Sequence, residues 1–333
     1  MRYFIFWLLY FIISGGIGFG QTFKIATYDI FFLDDGISTE RKNNLQKVIK
    51  ELGADVIGFQ EIDNPEALRN ILNENYDIAM IDDPEEVLEL ALAVRPPFRI
   101  KSYNSVFPES AYDAGFPRKR DLLQVVVDGY GKEFVFLVHH AKSRWGGRIK
   151  TDSRREAASR LIVDYIKANL LRKNVVLLGD FNDNPDDRSL NILEYGDKDA
   201  RAGVDTKEDS FLFNTSEQLL EKEICSYDYF SIYEDISTDR FNPVVQGSRE
   251  ENNKWRGKEY NFYRDVKIKS ILFDQILVSM NLKKHVADSG VLNYSAAIKG
   301  ELSKIKFVHD QLTYINRGSL ASDHIPVWTI LKF

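Results

Sequence analysis

The chain is 333 residues long, a length that suits one large domain or two modest ones. Hydrophobic residues make up 44% and charged residues 28%, which excludes collagen-like, low-complexity and largely disordered classes. A single cysteine, Cys225, excludes a disulfide framework and a cysteine-rich zinc site, and a net charge of −6 excludes a uniformly basic nucleic-acid coat while leaving room for a local basic face.

The start of the chain reads as a leader. Arg2 precedes the uncharged run Tyr3 to Ile13, and small residues follow up to Gly20. A charged start, an apolar middle and a small-residue end make the pattern of a secretory signal peptide. The apolar run is shorter than the roughly 20 residues of a membrane span. Residues 1–20 are therefore expected to be a signal peptide and residues 21–333 one exported domain, periplasmic or extracellular, with no membrane span in the mature chain. No repeat and no Pro/Ser/Gly linker divides it. A monomer with no obligate protein partner is expected.

Strand and helix patterns then mix along the chain. Phe23 to Tyr28 alternates and is rich in strand formers. Glu40 to Leu52 sets Leu45, Val48, Ile49 and Leu52 on one helical face and stops at Gly53. Asp55 to Gln60 reads as a buried strand, and Asn64-Pro65 as a cap and first residue of a helix through Leu68, Ile71 and Leu72. Phe134 to Val138 and Val175 to Leu178 are apolar strands on either side of a helix from Asp152 to Leu171. Residues 197–261 are polar and irregular and read as surface excursions, after which Ile271 to Val278 and Pro326 to Leu331 supply late strands. Alternation of helices with strands indicates α/β layering.

Charge is uneven along this pattern. Residues 74–89 hold seven acids and no base, which reads as a solvated face. Residues 141–160 hold seven bases and two acids and directly follow a histidine pair, and Arg118-Lys119-Arg120 adds a second basic knot.

Polar clusters recur where the apolar strands stop. They are Thr27-Tyr28-Asp29, Gln60-Glu61, His139-His140, Gly179-Asp180-Phe181-Asn182 and Ser322-Asp323-His324, with Asp274 inside a sixth strand. Ligand sites of layered α/β proteins gather at strand ends, where a rigid sheet fixes the side chains. Asp29 and Glu61 are hard oxygen donors suited to Mg²⁺ or Mn²⁺. Asp180 and Asn182 are two apart, so in extended chain both leave the same face, fit to hold a water and a phosphoryl oxygen. His140 and His324 carry protons near neutral pH, and nearby Lys and Arg neutralise phosphate. The set suits metal-assisted attack on a phosphate ester. No serine nucleophile elbow and no phosphate-binding Walker loop is present.

The order Gln60-Glu61, His140, Gly179-Asp180-Phe181-Asn182, Asp274-Gln275-Ile276 and Ser322-Asp323-His324 resembles the endonuclease/exonuclease/phosphatase superfamily, across nearly the whole chain from Lys24 to Phe333. The resemblance implies a four-layer α/β sandwich, two packed mixed β-sheets flanked by helices. It also implies a divalent-metal phosphodiesterase or phosphatase. Under it Glu61 is the main metal ligand, with Asp29 and Asp323 as further metal-side acids. His140 contacts the phosphate, Asp180 and Asn182 orient the water and the phosphoryl group, and His324 is a general base or transition-state donor oriented by Asp274. His139 stands where many relatives have Asn, beside the catalytic histidine. One motif departs: relatives carry Asn where this chain has Asp29, which keeps an oxygen donor and adds a charge.

Three functions remain open at this level. The first is a secreted endonuclease cutting DNA or RNA, with Lys142, Arg144, Arg148 and Arg154 along the substrate phosphates, since phosphate contacts dominate nucleic-acid affinity. Lys142 and Arg144 read equally well as ordinary surface charges. The second is a phosphatase or a lipid- or inositol-headgroup phosphodiesterase. The third is a non-catalytic binding module, which would require loss of a catalytic group, whereas Glu61, His140, Asp180, Asn182, Asp323 and His324 are all present.

Overall fold

The computed structural model describes residues 20–72, 74–83, 88–117, 121–144, 148–203, 208–221, 224, 226–227, 272–292, 305–308, 311–314 and 321–333. Residues 1–19 of the expected signal peptide, Cys225, the basic knot at 118–120 and most of residues 197–261 lie outside them.

The described residues form two six-stranded sheets and a separate two-stranded hairpin. The first sheet contains β1 (Thr22–Leu33), β2 (Val56–Ile62), β3 (Asp77–Met80), β4 (Glu89–Val94), β11 (Val286–Val291) and β14 (Val327–Lys332), in the order β11-β14-β1-β2-β4-β3. The second contains β5 (Arg99–Ser105), β6 (Leu123–Gly129), β7 (Lys132–His140), β8 (Asn174–Asp180), β9 (Leu212–Asn214) and β10 (Asp274–Ser279), in the order β5-β6-β7-β8-β10-β9. The hairpin is β12 (Ile305–Val308) with β13 (Gln311–Tyr314). Both sheets are mixed: β1 pairs with β2 and β7 with β8 in parallel, and the other pairs are antiparallel.

Three apolar layers hold the sandwich. Between the sheets, Ile25, Val56 and Leu92 meet Phe136, Val138, Val176 and Leu178. Outside the first sheet, Tyr28 and Phe59 pack on Leu45 and Val48 of α1 (Thr39–Leu52) and Leu68 of α2 (Pro65–Ile71). Outside the second, Leu137 and Leu177 pack on Ile162 and Ile166 of α3 (Arg148–Asn169) and Leu190 of α4 (Arg188–Tyr195). The result is the four-layer α/β sandwich with two packed mixed sheets. Strands with both faces covered read as continuous apolar runs, which is why VVLL and FVFLV were legible. Gly58 sets the gap: a Cβ there would lie 2.0 Å from Leu178 Cδ1 of the facing sheet.

The helix signals act as written. Ser38 accepts from Arg41 N, and Gly53 takes φ 56 and closes α1 by donating to Ile49 O. Asn64 accepts from Glu66 N and Ala67 N ahead of Pro65. Boundaries differ in ways that matter. β1 runs on to Leu33, β2 to Ile62 and β7 to His140, so Asp29, Glu61 and His140 sit inside strand ends. Part of the presumed excursion is edge strand β9, with Leu212 and Asn214 buried, because the neighbouring strand β10 needs a partner for its backbone. Strands β3 to β6 add to the strands expected from the sequence. No helix among the described residues is long and apolar enough to cross a membrane.

Candidate active site

The sheets bring distant segments to one edge. On the second sheet, Asp180 at the end of β8 is the register partner of His140 on β7 and of Asp274 on β10. A row His140–Asp180–Asp274 thus crosses three strands. His140 Nε2 lies 3.6 Å from Asp180 Oδ2 and 3.9 Å from Glu61 Oε1 of the facing sheet. Asp29, His140 and Asp180 each offer a ligand atom within 4.8 Å of the others.

Local backbone aims these groups. Gly179 has φ 149, and a Cβ there would sit 1.8 Å from His139 O, so only glycine lets β8 approach β7 before Asp180. Asn182 takes φ 51, a left-handed turn that Asn tolerates, and its N–H donates to Asp180 Oδ1 at 2.7 Å. Its amide donates to Asp180 Oδ2 at 2.5 Å and to Ala141 O at 3.2 Å. Both amide protons are spent, which leaves Oδ1 as an acceptor. The expected division of labour narrows accordingly: Asn182 suits holding a water proton, not a phosphoryl oxygen.

On the first sheet both ligand-bearing strands are irregular at the site. The β1–β2 register shifts between Asp29 and Leu33, and Glu61, Phe31 and Phe32 have φ 62, 54 and 47. Left-handed residues other than glycine cost of order 1–3 kcal/mol each and persist where the surroundings enforce them. Arg41 is the enforcer: buried in the first turn of α1, it donates to the carbonyls of Ile30, Phe31 and Phe32, and to Ala321 O at 3.2 Å. Ser322 completes the join, donating to Asp29 O at 2.7 Å and accepting from His324 N at 3.0 Å. His324 Nδ1 donates to Asp274 Oδ2 at 2.7 Å, both groups buried.

The electrostatics are those of crowded carboxylates. Burial pushes the Asp29 carboxyl well above its ordinary range, and Glu61 and Asp180 push it further against the pull of His324. Burial also raises Asp180, with Asp274 and Glu61 adding to it and His324 opposing. Burial would lower His324, but Asp274, Asp29 and Asp180 outweigh it and hold the ring well above the usual histidine value. Asp29 Oδ1 accepts from Phe31 N, whereas Oδ2 is buried with no hydrogen-bond partner among the described residues. An orphaned carboxylate oxygen among raised acids and an imidazole fits a hard divalent cation, which would relieve the crowding. Asp29 would hold it, with Asp180 and His140 within 4.8 Å lining the space around it and Glu61 beside them. Asp323 follows Ser322 and has one buried oxygen without a hydrogen-bond partner among the described residues.

The basic set divides. Lys142 is half-buried and Arg154 is exposed on α3, while the side chain of Arg148 lies outside the described part of the structure. Arg144 requires correction. It is 8% exposed, with Nη2 on Asp183 Oδ1 at 2.9 Å and Asp187 Oδ2 at 2.5 Å, and Nε on Asn182 O at 2.8 Å. Its charge is neutralised inside the fold, so it is not a substrate phosphate contact. The sequence reading assigned no role to Arg41 or to Asp183 and Asp187, the acidic partners of Arg144. Only Arg41 left a signal, being an arginine four residues before Leu45 on the apolar stripe of α1.

His139 points away from His140, as strand neighbours must. Its ring lies between Phe116 and Phe181 at 5.6 and 5.4 Å, 2% exposed. Burial lowers its pKa from 6.5 to about 3. Between those values the unfolded chain binds more protons, so this contribution to stability is whole above pH 6.5 and drains away as pH falls toward 3. At pH 5 the loss should be about 2 kcal/mol. His139→Leu should therefore show a smaller drop in urea midpoint from pH 7 to pH 5 than the parent protein. Equal drops in both proteins would refute a neutral buried ring.

Comparisons add the following. A family model described as endonuclease/exonuclease/phosphatase family matches residues 37–236. Among solved structures, humanized D. rerio TDP2 superposes with a TM-score of 0.57 at 16% identity, covering 94% of this chain and 99% of that one. D. rerio TDP2 complexed with single strand DNA product superposes with a TM-score of 0.55 at 15% identity, covering 93% and 98%. An endonuclease/exonuclease/phosphatase family protein from Bacteroides thetaiotaomicron gives 0.55 at 16% identity, covering 94% and 98%. No curated protein sequence matches.

Proposed function

The chain belongs to the endonuclease/exonuclease/phosphatase family, and on that premise we propose that it is a divalent-metal-dependent phosphodiesterase, exported from the cell, that cuts DNA or RNA. One observation carries the reading: Asp29, His140 and Asp180 converge within 4.8 Å at the ends of interior strands of both sheets. The product-bound D. rerio TDP2 structure lends weight to a nucleic-acid substrate, and the export reading rests on the pattern of residues 1–20.

The residues divide the work as follows. A bound Mg²⁺ or Mn²⁺ supplies charge stabilisation for the phosphoryl oxygens and acidifies water. Asp180 accepts a proton from the attacking water, and Asn182 Oδ1 accepts the water's other proton, aligning its lone pair with phosphorus. His140 donates to the phosphate. His324 has Nδ1 tied to Asp274, so Nε2 carries its chemistry. A ring held charged by three carboxylates donates, which makes His324 a donor to the oxyanion of the transition state.

The test is turnover of plasmid DNA, RNA, bis-(p-nitrophenyl) phosphate and a panel of phosphomonoesters, each with Mg²⁺ or Mn²⁺ and with chelator. Diester and nucleic-acid cleavage is expected. Turnover of monoesters alone would establish the phosphatase reading instead.

Substrate steering should lie on Lys142, Arg148 and Arg154. Removing the charges of Lys142, Arg148 and Arg154 together should raise KM for DNA several-fold and flatten its dependence on salt, with kcat retained. An unchanged salt slope would indicate a compact phosphate substrate.

A further inference from the structure

We propose that Arg144 is a positioning residue for Asn182, acting through a buried charge lattice that sets turnover and not substrate affinity. The inference rests on the phosphodiesterase reading above.

Asn182 turns the chain left-handed two residues after Asp180, and the direction of its side chain follows its peptide plane. Arg144 Nε holds the Asn182 carbonyl at 2.8 Å. The same guanidinium is itself fixed by Asp183 and Asp187, and it stacks 4.8 Å over the ring of Phe273, the residue before Asp274. Asp183 Oδ2 is shared in turn by Arg155 Nε at 2.7 Å and Ser189 Oγ at 2.6 Å. Arg155 Nη1 reaches back to Lys142 O at 2.8 Å and Thr151 Oγ1 at 3.1 Å. One lattice therefore joins the segment after β7, the segment after β8, the start of α3 and the residue before Asp274. Those are the segments that carry His140, Asp180, Asn182 and Asp274.

Two arginines and two aspartates are nearly fully buried to do this. Buried ion pairs are a poor source of stability, because desolvation offsets their attraction and apolar side chains fill such space as well. What they supply is fixed geometry. Arginine's planar fork serves the carbonyl and both carboxylates at once, and lysine's single ammonium does not. Asn182 has both amide protons committed to Asp180 and Ala141, which leaves Oδ1 as its one group facing the water, so a shift of its peptide plane moves that acceptor out of line.

The experiment compares the parent protein, Arg144→Lys and Ser189→Ala on bis-(p-nitrophenyl) phosphate with Mn²⁺. Misplacement by a fraction of an ångström should lower kcat of Arg144→Lys by about tenfold or more with KM within about twofold. Ser189→Ala breaks the lattice at a bond that does not touch Asn182, and it should lower thermal stability while leaving kcat within about twofold. Amide exchange in 141–144 and 181–187 should quicken in Arg144→Lys. Asp187→Asn, which loosens Arg144 without removing it, should give the same kcat pattern at smaller size and serves if Arg144→Lys does not fold. A raised KM with kcat intact and a flattened salt slope would return Arg144 to substrate binding and overturn the proposal. Equal kcat losses in Arg144→Lys and Ser189→Ala would overturn it as general loosening. An active parent with wild-type kcat in Arg144→Lys overturns this inference alone, whereas an inactive parent overturns the phosphodiesterase reading together with it.

Discussion

Chelation of divalent metal should reduce diester turnover to background, and Mg²⁺ or Mn²⁺ should restore it. The expectation follows from the charge balance of the site. Asp29 and Asp180 are buried beside each other and beside Glu61, their carboxyls raised by burial and mutual repulsion, and Asp29 Oδ2 has no hydrogen-bond donor among the described residues. Without a cation those groups serve no shared purpose and oppose folding. A cation that binds the folded state should also raise the melting temperature, since ligand at about a hundred times Kd contributes about 2.7 kcal/mol. Two measurements check this: rate and melting curve, each with and without chelator. Full activity in chelator would sink the metal reading, and a melting temperature indifferent to Mn²⁺ would count against the site being at Asp29. Asp29→Asn restores the neutral donor that relatives carry in the first motif. It should keep measurable activity but require more Mg²⁺ for half-maximal rate, because a charged oxygen attracts the ion more strongly at the same reach.

His324→Ala should lower kcat by a factor on the order of 10² to 10⁴ with the fold intact, as expected for a lost proton-carrying group. Asp274→Asn should lose part of that. Asp274 is fully buried and is the strongest influence raising His324 against the penalty of burial. With Asn in its place the ring loses its charge at lower pH. If the charged ring is the working form, activity declines as pH rises through that value, so the alkaline limb of kcat should move to lower pH in Asp274→Asn. The check is a kcat–pH profile of both variants against the parent. A silent Asp274→Asn beside a dead His324→Ala would overturn the pairing, and a limb that moves upward would reverse the assigned role.

Much of the molecule was legible before folding, and the reason is local. Strands buried on both faces declare themselves as apolar runs, caps act within a few residues, and strand-end acids and histidines keep their chemistry in any context. That made the α/β layering visible, along with α1, α2 and α3, and Asp29, Glu61, His140, Asp180, Asn182, Asp274 and His324 as one set. Family resemblance then supplied their common geometry.

What only the tertiary structure decided is non-local. The surroundings of His139 depend on the register that pairs His140 with Asp180 and turns His139 into the rings of Phe116 and Phe181. Arg144 and Arg154 look alike in one basic run, yet one is buried on Asp183 and Asp187 and the other is exposed, because the partners lie some forty residues away. Arg41 shapes the site through Ala321, 280 residues distant. A charge in a sequence has a sign but no partner. Burial and pairing, which fix whether it binds substrate, holds metal or positions a neighbour, arise only when the two sheets close on each other.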